Sequence, residues 1–362
     1  MIRDSHSISM PYSLTDSAAR QHLQLHVLGL DVVTRDAAFC EWIDRLYVSN
    51  DLRGALPTRA SSLTLRIERA DDRDAPIPEA PPGAAFAEMT MCTAPCYYAR
   101  GRFFSASDSP YWHRMDYDLD SRTIRASIGG IYLTRPQAVV SNLLRPILQS
   151  FLLPFHGLKT LHGAIVSKGG HTIFLMGSGG SGKSTTTAQL MRDGYDLISD
   201  DGPFFTIDGT AAIAMSSLDF LHVTKNTLDM FPELEPHVVG VMDHRDKFAV
   251  HRAGLQRGDA WQRPLLVDTI VRLRRGPVNR PVVRTYDKRA LMRDLFNETM
   301  IVFRPSVFRD RAPLFKAYSD FIFEVVAGVV RDAHAVELEF ADHHLRDLPA
   351  IIDRLGPNGV SF

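Results

Sequence analysis

The chain has 362 residues, 45% hydrophobic and 23% charged, with a formal net charge of −1. That length can bury a sizeable core, and the neutral balance argues against non-specific nucleic-acid or membrane-surface binding as its main business. Its three cysteines, Cys40, Cys92 and Cys96, are too few and wrongly spaced for a disulfide framework or a zinc site. A reducing, cytoplasmic setting is therefore expected. No apolar signal segment opens the sequence and no run of ~18 apolar residues occurs, so neither export nor a membrane span is expected.

Residues 1–20, rich in Ser and Asp, read as a loose leader, and 21–134 as a β-rich N-terminal domain. Alternation in His22–Val27 predicts a strand, with His22 and His26 as solvated side chains on its polar face rather than metal ligands. Phe39, Trp42, Ile43 and Leu46 recur at helical spacing and suit core packing. Ser62–Glu68 alternates with Leu63, Leu65 and Ile67 facing inward. Asp71–Pro82 is Pro- and Asp-rich and reads as an exposed loop or linker. Tyr97–Ser105, Tyr111–Asp118 and Arg122–Ile128, divided by turn residues, predict a β-meander. Its aromatic side chains fit sheet packing better than base stacking. Nothing in this domain says what it binds, although it could present an acceptor.

Arg135–Leu153 is strongly apolar and predicts a buried helix, interrupted at Pro146. It opens the second domain, 135–362. Thr172–Met176 is a short apolar run of strand type that enters Gly177-Ser-Gly-Gly-Ser-Gly-Lys-Ser184 directly. That segment fits G-x-x-x-x-G-K-[ST] at every position. Gly177, Gly179, Gly180 and Gly182 let consecutive N–H groups, including those of Ser178 and Ser181, turn around a phosphate. Lys183 supplies a point charge for the β/γ-phosphates of a nucleotide, and the Ser184 hydroxyl is the expected Mg²⁺ ligand. Ser184–Arg192, with Thr185 in its first turn, predicts a helix closed by Gly194, whose N-terminus adds its own pull on an anion.

Tyr195–Ser199 reads as a buried strand ending in Asp200 and Asp201. Two adjacent acids allow one to hold metal and the other to take a proton from an attacking hydroxyl. The same residues also suit a solvated Asp-Asp-Gly hairpin turn.

Leu161-His162-Gly163, the glycine loop and Asp200-Asp201, in that order, resemble the HPr kinase/phosphorylase family. The interval from Lys183 to Asp200 is also similar to that family's. The resemblance covers about forty residues sharply and the flanks more faintly, to about residue 275. It implies an α/β P-loop nucleotide domain of the HPr kinase / phosphoenolpyruvate carboxykinase type, and ATP- and Mg²⁺-dependent phosphorylation of a serine hydroxyl on a protein. Carried over by position, Asp201 is the general base, Asp200 lies nearer the metal and His162 sits beside the phosphate site. Two features depart from the family: Thr185 stands where the bacterial enzymes carry Glu, and the downstream signature of phosphorolysis has no identified counterpart. The chain in this respect resembles divergent HPr-kinase-like proteins of ribosomal-peptide clusters, including lasso-peptide clusters, which phosphorylate the precursor peptide. HPr kinases form hexamers; no segment here is matched to that interface, and a homo-oligomer stays open.

Further on, Phe204–Ile207 and Ala211–Met215 predict a hairpin across Asp208-Gly209. Asp243–Lys247 is a polar cluster whose Arg245 and Lys247 are candidates to offset charge on a transferred phosphoryl group. It fits a solvated turn equally well. Leu265–Leu273 predicts a strand running into Arg274-Arg275-Gly276. Lys288–Asn297 and Pro313–Val330 have helical periodicity, and Arg304, Arg309 and Arg311 ahead of the second suit a solvated basic loop better than contact with phosphate or an acidic substrate. Ala335–Phe340 predicts a last strand and Asp342–Leu355 a last amphipathic helix, with His343 and His344 exposed.

The sequence therefore reads as a serine kinase acting on a peptide or protein, with no nucleic-acid or membrane partner. Two alternatives use the same residues: a kinase for a small hydroxylated metabolite, and a nucleotide-binding module without transfer. A carboxykinase-like reaction is the weakest, since no extra metal-binding His and Lys stand at plausible positions.

Overall fold

The computed structural model describes residues 19–25, 28–37, 39–40, 61–69, 85–87, 96–99, 101–107, 112–133, 156–217, 220–242, 247–252, 255, 258–300 and 312–355. Period-two alternation builds its first sheet from β1 (Ala19–Leu25), β2 (Leu28–Thr34), β3 (Ser61–Arg69), β4 (Ala85–Ala87), β5 (Cys96–Ala99), β6 (Arg102–Ser107), β7 (His113–Asp118) and β8 (Thr123–Ile128). Their order is β1-β2-β3-β8-β7-β6-β5-β4. Leu63, Leu65 and Ile67 are fully buried beside Leu30, Val32, Ile124 and Ile128, while Ser62, Arg66 and Glu68 between them face solvent. Tyr98, Phe103 and Tyr117 are buried in the same cluster, as sheet packing requires.

Three details differ from the sequence reading. Tyr97–Ser105 is two strands, because Gly101 takes φ 83° and Ala99 pairs back onto Arg102. The meander is also not self-contained, since β3 runs parallel to both β2 and β8. β1 begins at Ala19, just inside the expected leader.

The second half contains β9 (Lys159–Thr160), β10 (Ala164–Lys168), β11 (His171–Met176), α1 (Lys183–Arg192), β12 (Asp196–Ser199), β13 (Phe204–Asp208), β14 (Ala211–Met215), β15 (Phe220–Thr224), α2 (Lys225–Met230), β16 (Val238–Met242), β17 (Lys247–His251), β18 (Thr269–Arg275), β19 (Val282–Thr285), α3 (Lys288–Met300), α4 (Ala312–Asp332), β20 (His334–Phe340) and α5 (Leu348–Asp353). Its main sheet has the order β12-β10-β11-β18-β20-β19. The near-continuous apolar runs of β10, β11 and β18 follow from burial on both faces. Phe174, Met176, Ile165 and Ile270 pack on the face that carries α4, through Ile322, Val325, Val326 and Val329. Ile173, Leu175, Val166 and Val271 pack on the other, with Ala188, Leu190 and Met191 of α1. Smaller sheets β14-β13-β9 and β15-β17-β16 flank it. The β13–β14 hairpin turns at Gly209 with φ 59°.

The strand expected from Leu265 starts late: Leu265 bridges Ala214, and β18 begins at Thr269. Asp342–Leu355 is a 3-10 turn (Asp342–Asp347) followed by α5, with Pro349 in the first turn of α5. Proline has no N–H to carry the ladder back, so a new helix starts there. His344 is buried, contrary to expectation: its Nδ1 accepts the Ala341 N–H (3.1 Å) and its Nε2 faces Asn279 O (3.1 Å). His343 is exposed. The expected leader before residue 19, Trp42, Ile43, Leu46, Cys92, the 71–82 loop, the 135–153 helix, Arg245, Arg304, Arg309 and Arg311 lie outside the described residues. Among the described residues, no helix is long and apolar enough to cross a membrane.

Candidate active site

Topology gathers the candidate residues at one sheet edge. β10 is antiparallel to β11 and β12, while β18 is parallel to β11 and to β20. The carboxyl ends of β11, β12, β18 and β20 therefore share an edge with the start of β10. Onto that edge fall the glycine loop after β11, Asp200 and Asp201 after β12, Arg274 and Arg275 at the end of β18, and His162 just before β10. Ligands in open α/β sheets bind beyond the carboxyl ends of the strands.

β11, the loop and α1 form a strand–glycine loop–helix unit. Gly177, Gly180 and Gly182 take φ of 148°, 80° and 92°. A Cβ on Gly177 would lie 2.6 Å from Ser181 Oγ and 2.7 Å from Leu273 O. Only glycine therefore lets the loop pass so close to β18. The Ser181 N–H donates to Ser178 O (3.1 Å) and the Thr186 N–H to Gly182 O (2.8 Å). Lys183 Nζ lies across the loop, donating to Gly177 O (2.6 Å) and Ser178 O (3.3 Å). Ser178 and Gly179 are exposed, and Ser184 is half-buried in the first turn of α1. The buried Ser181 Oγ has no hydrogen-bond partner among the described residues. Thr185 turns its hydroxyl away, to Thr227 Oγ1 at 3.0 Å.

The two acids are held differently. Asp200 is buried, and its Oδ2 accepts the His222 N–H (2.8 Å), with the ring Nδ1 at 3.5 Å. Asp201 has φ 51°, a left-handed conformation rare for a residue with a side chain. Its Oδ1 lies 3.2 Å from His162 Nδ1, and the His162 ring is 44% exposed. The Gly202 N–H donates to Gly163 O (3.2 Å). That bond ties the His162-Gly163 pair to the Asp-Asp-Gly turn.

On the other side of the loop, a cleft of about 650 Å³ is lined by residues 177–181 together with Arg272, Arg274, Arg275, Asp294, Asn297 and Glu337. Arg275 lies over Gly182 and is held by Asp342 (Nε–Oδ1 2.8 Å). Arg272 Nη1 donates to Tyr286 Oη (2.6 Å), which donates to Asp294 Oδ2 (2.6 Å). Burial and the Asp294 carboxylate push the Tyr286 hydroxyl up to about 12, so it keeps its proton. Lys247 sits instead in the β15-β17-β16 sheet, opposite Thr224 and Met242, and does not line this cleft.

The loop's close approach to β18 and the unpartnered Ser181 hydroxyl fit a phosphate chain. Among the described residues, no group of three or more His, Cys, Asp or Glu is placed to hold a metal. A hard cation here would draw on Asp200, the Ser184 hydroxyl and the phosphate's own oxygens, a mixed oxygen set that suits Mg²⁺. Sequence reasoning missed His222 and Arg252. Arg252 is 1% exposed, donates to Ile198 O (3.1 Å) and Ser216 Oγ (2.8 Å) behind the acid pair, and stacks on Trp261. Sequence reasoning also gave Arg272, Arg274 and Arg275 no role, although Arg274-Arg275-Gly276 closing an apolar strand was the available signal.

No family model and no curated protein matches the chain. Among solved structures it is similar to the Hpr(Ser) kinase/phosphatase from Coxiella burnetii, at 13% identity over 54% of this chain and 93% of that one, with a TM-score of 0.26.

Proposed function

We infer that the protein is an ATP- and Mg²⁺-dependent kinase that transfers the γ-phosphoryl group to a serine-type hydroxyl of a peptide or protein. A ribosomally made precursor peptide of the lasso type is the acceptor that the family resemblance favours. The observation that carries this reading is the pairing of Asp201 with His162 at the sheet edge that also holds the 177–184 loop. A phosphate loop alone serves many reactions; a carboxylate beside it, set apart from the one suited to a metal, serves proton removal from an acceptor.

In this reading the loop N–H groups and Lys183 hold the phosphates of ATP. Asp200 and Ser184 hold Mg²⁺, which when bound neutralises charge on the phosphates. Asp201 accepts the proton of the acceptor hydroxyl as that oxygen bonds to the γ-phosphorus. The bond from the γ-phosphorus to the bridging oxygen breaks, and ADP leaves. His162 orients Asp201, and Arg274 and Arg275 add positive charge near the loop. The reading divides the chain near residue 134, places it in the cytoplasm, and requires neither nucleic acid nor membrane.

Asp201→Asn tests it. Asparagine tolerates the left-handed conformation, so the turn is kept and only the base is lost. ATP-dependent turnover is expected to fall about 10²- to 10⁴-fold with ATP binding unchanged. A parallel loss of ATP binding would make Asp201 a metal ligand or a structural residue and overturn its role as base.

A further inference from the structure

We propose that Ser217, buried behind the acid pair, is a positioning residue that holds Asp201 in its left-handed conformation. The proposal rests on the reading of Asp201 as the base. Ser199 and Ser217 have no exposed surface, and their hydroxyl oxygens lie 2.8 Å apart. Ser217 Oγ donates to the carbonyl oxygen of Gly202 at 2.7 Å. A serine hydroxyl has one hydrogen. Since that of Ser217 goes to a carbonyl, which can only accept, Ser199 must be the donor between the two serines. Ser199 Oγ also accepts the Ser217 N–H at 3.3 Å. The proton order is thereby fixed: Ser199 to Ser217, and Ser217 to the Gly202 carbonyl.

That carbonyl closes the turn whose preceding residue, Asp201, sits at φ 51°. On its other side the Gly202 N–H is fastened to Gly163 O. Gly202 is therefore gripped through both its N–H and its C=O, one from the His162 side and one from the serine side. Aspartate, like asparagine, enters the left-handed region more readily than other residues with a Cβ, but still at a cost that its surroundings must offset, and this two-sided grip does so. Removing the Ser217 hydroxyl leaves a buried carbonyl and the Ser199 donor both unpaired. The turn then relaxes, and Asp201 Oδ1 leaves its place 3.2 Å from His162 Nδ1.

The test compares Ser217→Ala with Ser217→Thr, which keeps the hydroxyl, and with Thr206→Val. Thr206 is an equally buried hydroxyl that donates to Gly157 O (2.9 Å), away from the acid turn. With MgATP as probe, Ser217→Ala is expected to lower kcat for ATP turnover about 10²-fold. Its Kd for MgATP should stay unchanged, because the clamp touches no residue of the loop. Ser217→Thr should recover most of the rate, and Thr206→Val should lose thermal stability without loss of kcat. Ser217→Ala with wild-type kcat overturns the proposal, as does an equal loss of kcat in Thr206→Val. If wild-type protein binds MgATP but turns it over with none of the acceptors (a serine-containing peptide encoded beside the gene, HPr or free serine), the kinase reading fails and the clamp is judged by crystallography. Asp201 out of the left-handed region in Ser217→Ala sustains it, and an unchanged turn overturns it. If Ser217→Ala does not fold, Ser199→Ala, which removes the donor to Ser217, is put through the same measurements. A loss of kcat at unchanged Kd then sustains the proposal, and a wild-type kcat overturns it.

Discussion

Gly163→Ala and Gly179→Ala should have different effects, because one glycine is needed by the fold and the other, in the kinase reading, by the ligand. A Cβ on Gly163 would lie 2.5 Å from Leu175 O and 2.7 Å from Phe174 Cζ, and closer still to Phe174 Cε2. Leu175 O is backbone of β11, paired with β10 in register Ala164–Leu175. Phe174 is fully buried edge-on to Phe205, with ring centroids 5.9 Å apart, so its ring cannot swing aside. Ordinary carbon contacts need about 3.5 Å or more, so β10 and β11 must part by roughly 1 Å. Overpacking of a well-packed core costs about 1–3 kcal/mol, and this site belongs at the upper end because backbone must move. Gly179 has no left-handed φ and nothing within 4 Å of a Cβ, so alanine there should leave stability unchanged. It would instead stand where the loop meets a phosphate, and weaken MgATP binding. Urea titration with a common m-value reads the first effect as a lower midpoint, and calorimetric titration reads the second. A Gly163→Ala midpoint equal to wild type, or a Gly179→Ala protein that is destabilised but binds normally, would refute the reasoning.

Three further outcomes follow from buried or paired charges. Burial holds Lys159 down to about 7, whereas the unfolded chain keeps that proton to about 10.5. The unfolded state binds more protons between those values, so stability should rise with pH from 7 to 10. Lys159→Met should flatten that rise and stabilise the protein at pH 7 by a few kcal/mol at most; equal slopes in thermal melts would count against it. Burial likewise lowers His156, which faces Tyr117 Oη at 2.9 Å, from 6.5 to about 4. Stability should be lost as pH falls through that window, by up to about 3 kcal/mol. His156→Gln should retain more of its stability there than wild type, as denaturant midpoints at pH 6.5 and 4.5 would show. Arg275→Ala removes a partly exposed guanidinium paired with Asp342 over Gly182. It should weaken MgATP binding about tenfold with a change in stability under about 1 kcal/mol. An unchanged Kd would exclude Arg275 from the phosphate site.

Local chemistry was legible in the sequence wherever one segment carried its own signal. The alternation at Leu63, Leu65 and Ile67, the β13–β14 hairpin at Gly209 and the strand–loop–helix around Gly177–Ser184 all announce themselves through period or turn residues. The parallel pairing of β3 with β8, and of β18 with β11 and β20, has no local signature, because such strands meet through long crossovers. That pairing brings Arg272–Arg275 to the loop and leaves Lys247 in another sheet. The motif-matching position of Asp201 was readable, but its left-handed φ and the serine network behind it were not. Isolated serines separated along the chain look like ordinary surface residues until the fold buries them. His344 misled for a related reason: one of two adjacent histidines at a helix start, it is turned inward to satisfy backbone at Ala341 and Asn279.

The most direct test of the kinase reading is intact-mass analysis of acceptors after incubation with the protein, ATP and Mg²⁺. The acceptors are a serine-containing peptide encoded beside the gene, HPr and free serine, each run with wild-type protein and with Asp201→Asn. The reading predicts that the peptide gains the mass of one phosphoryl group with wild-type protein only. Phosphorylation of free serine alone would make the protein a metabolite kinase. No mass gain on any acceptor, with MgATP still bound, would contradict the reading and leave a nucleotide-binding module.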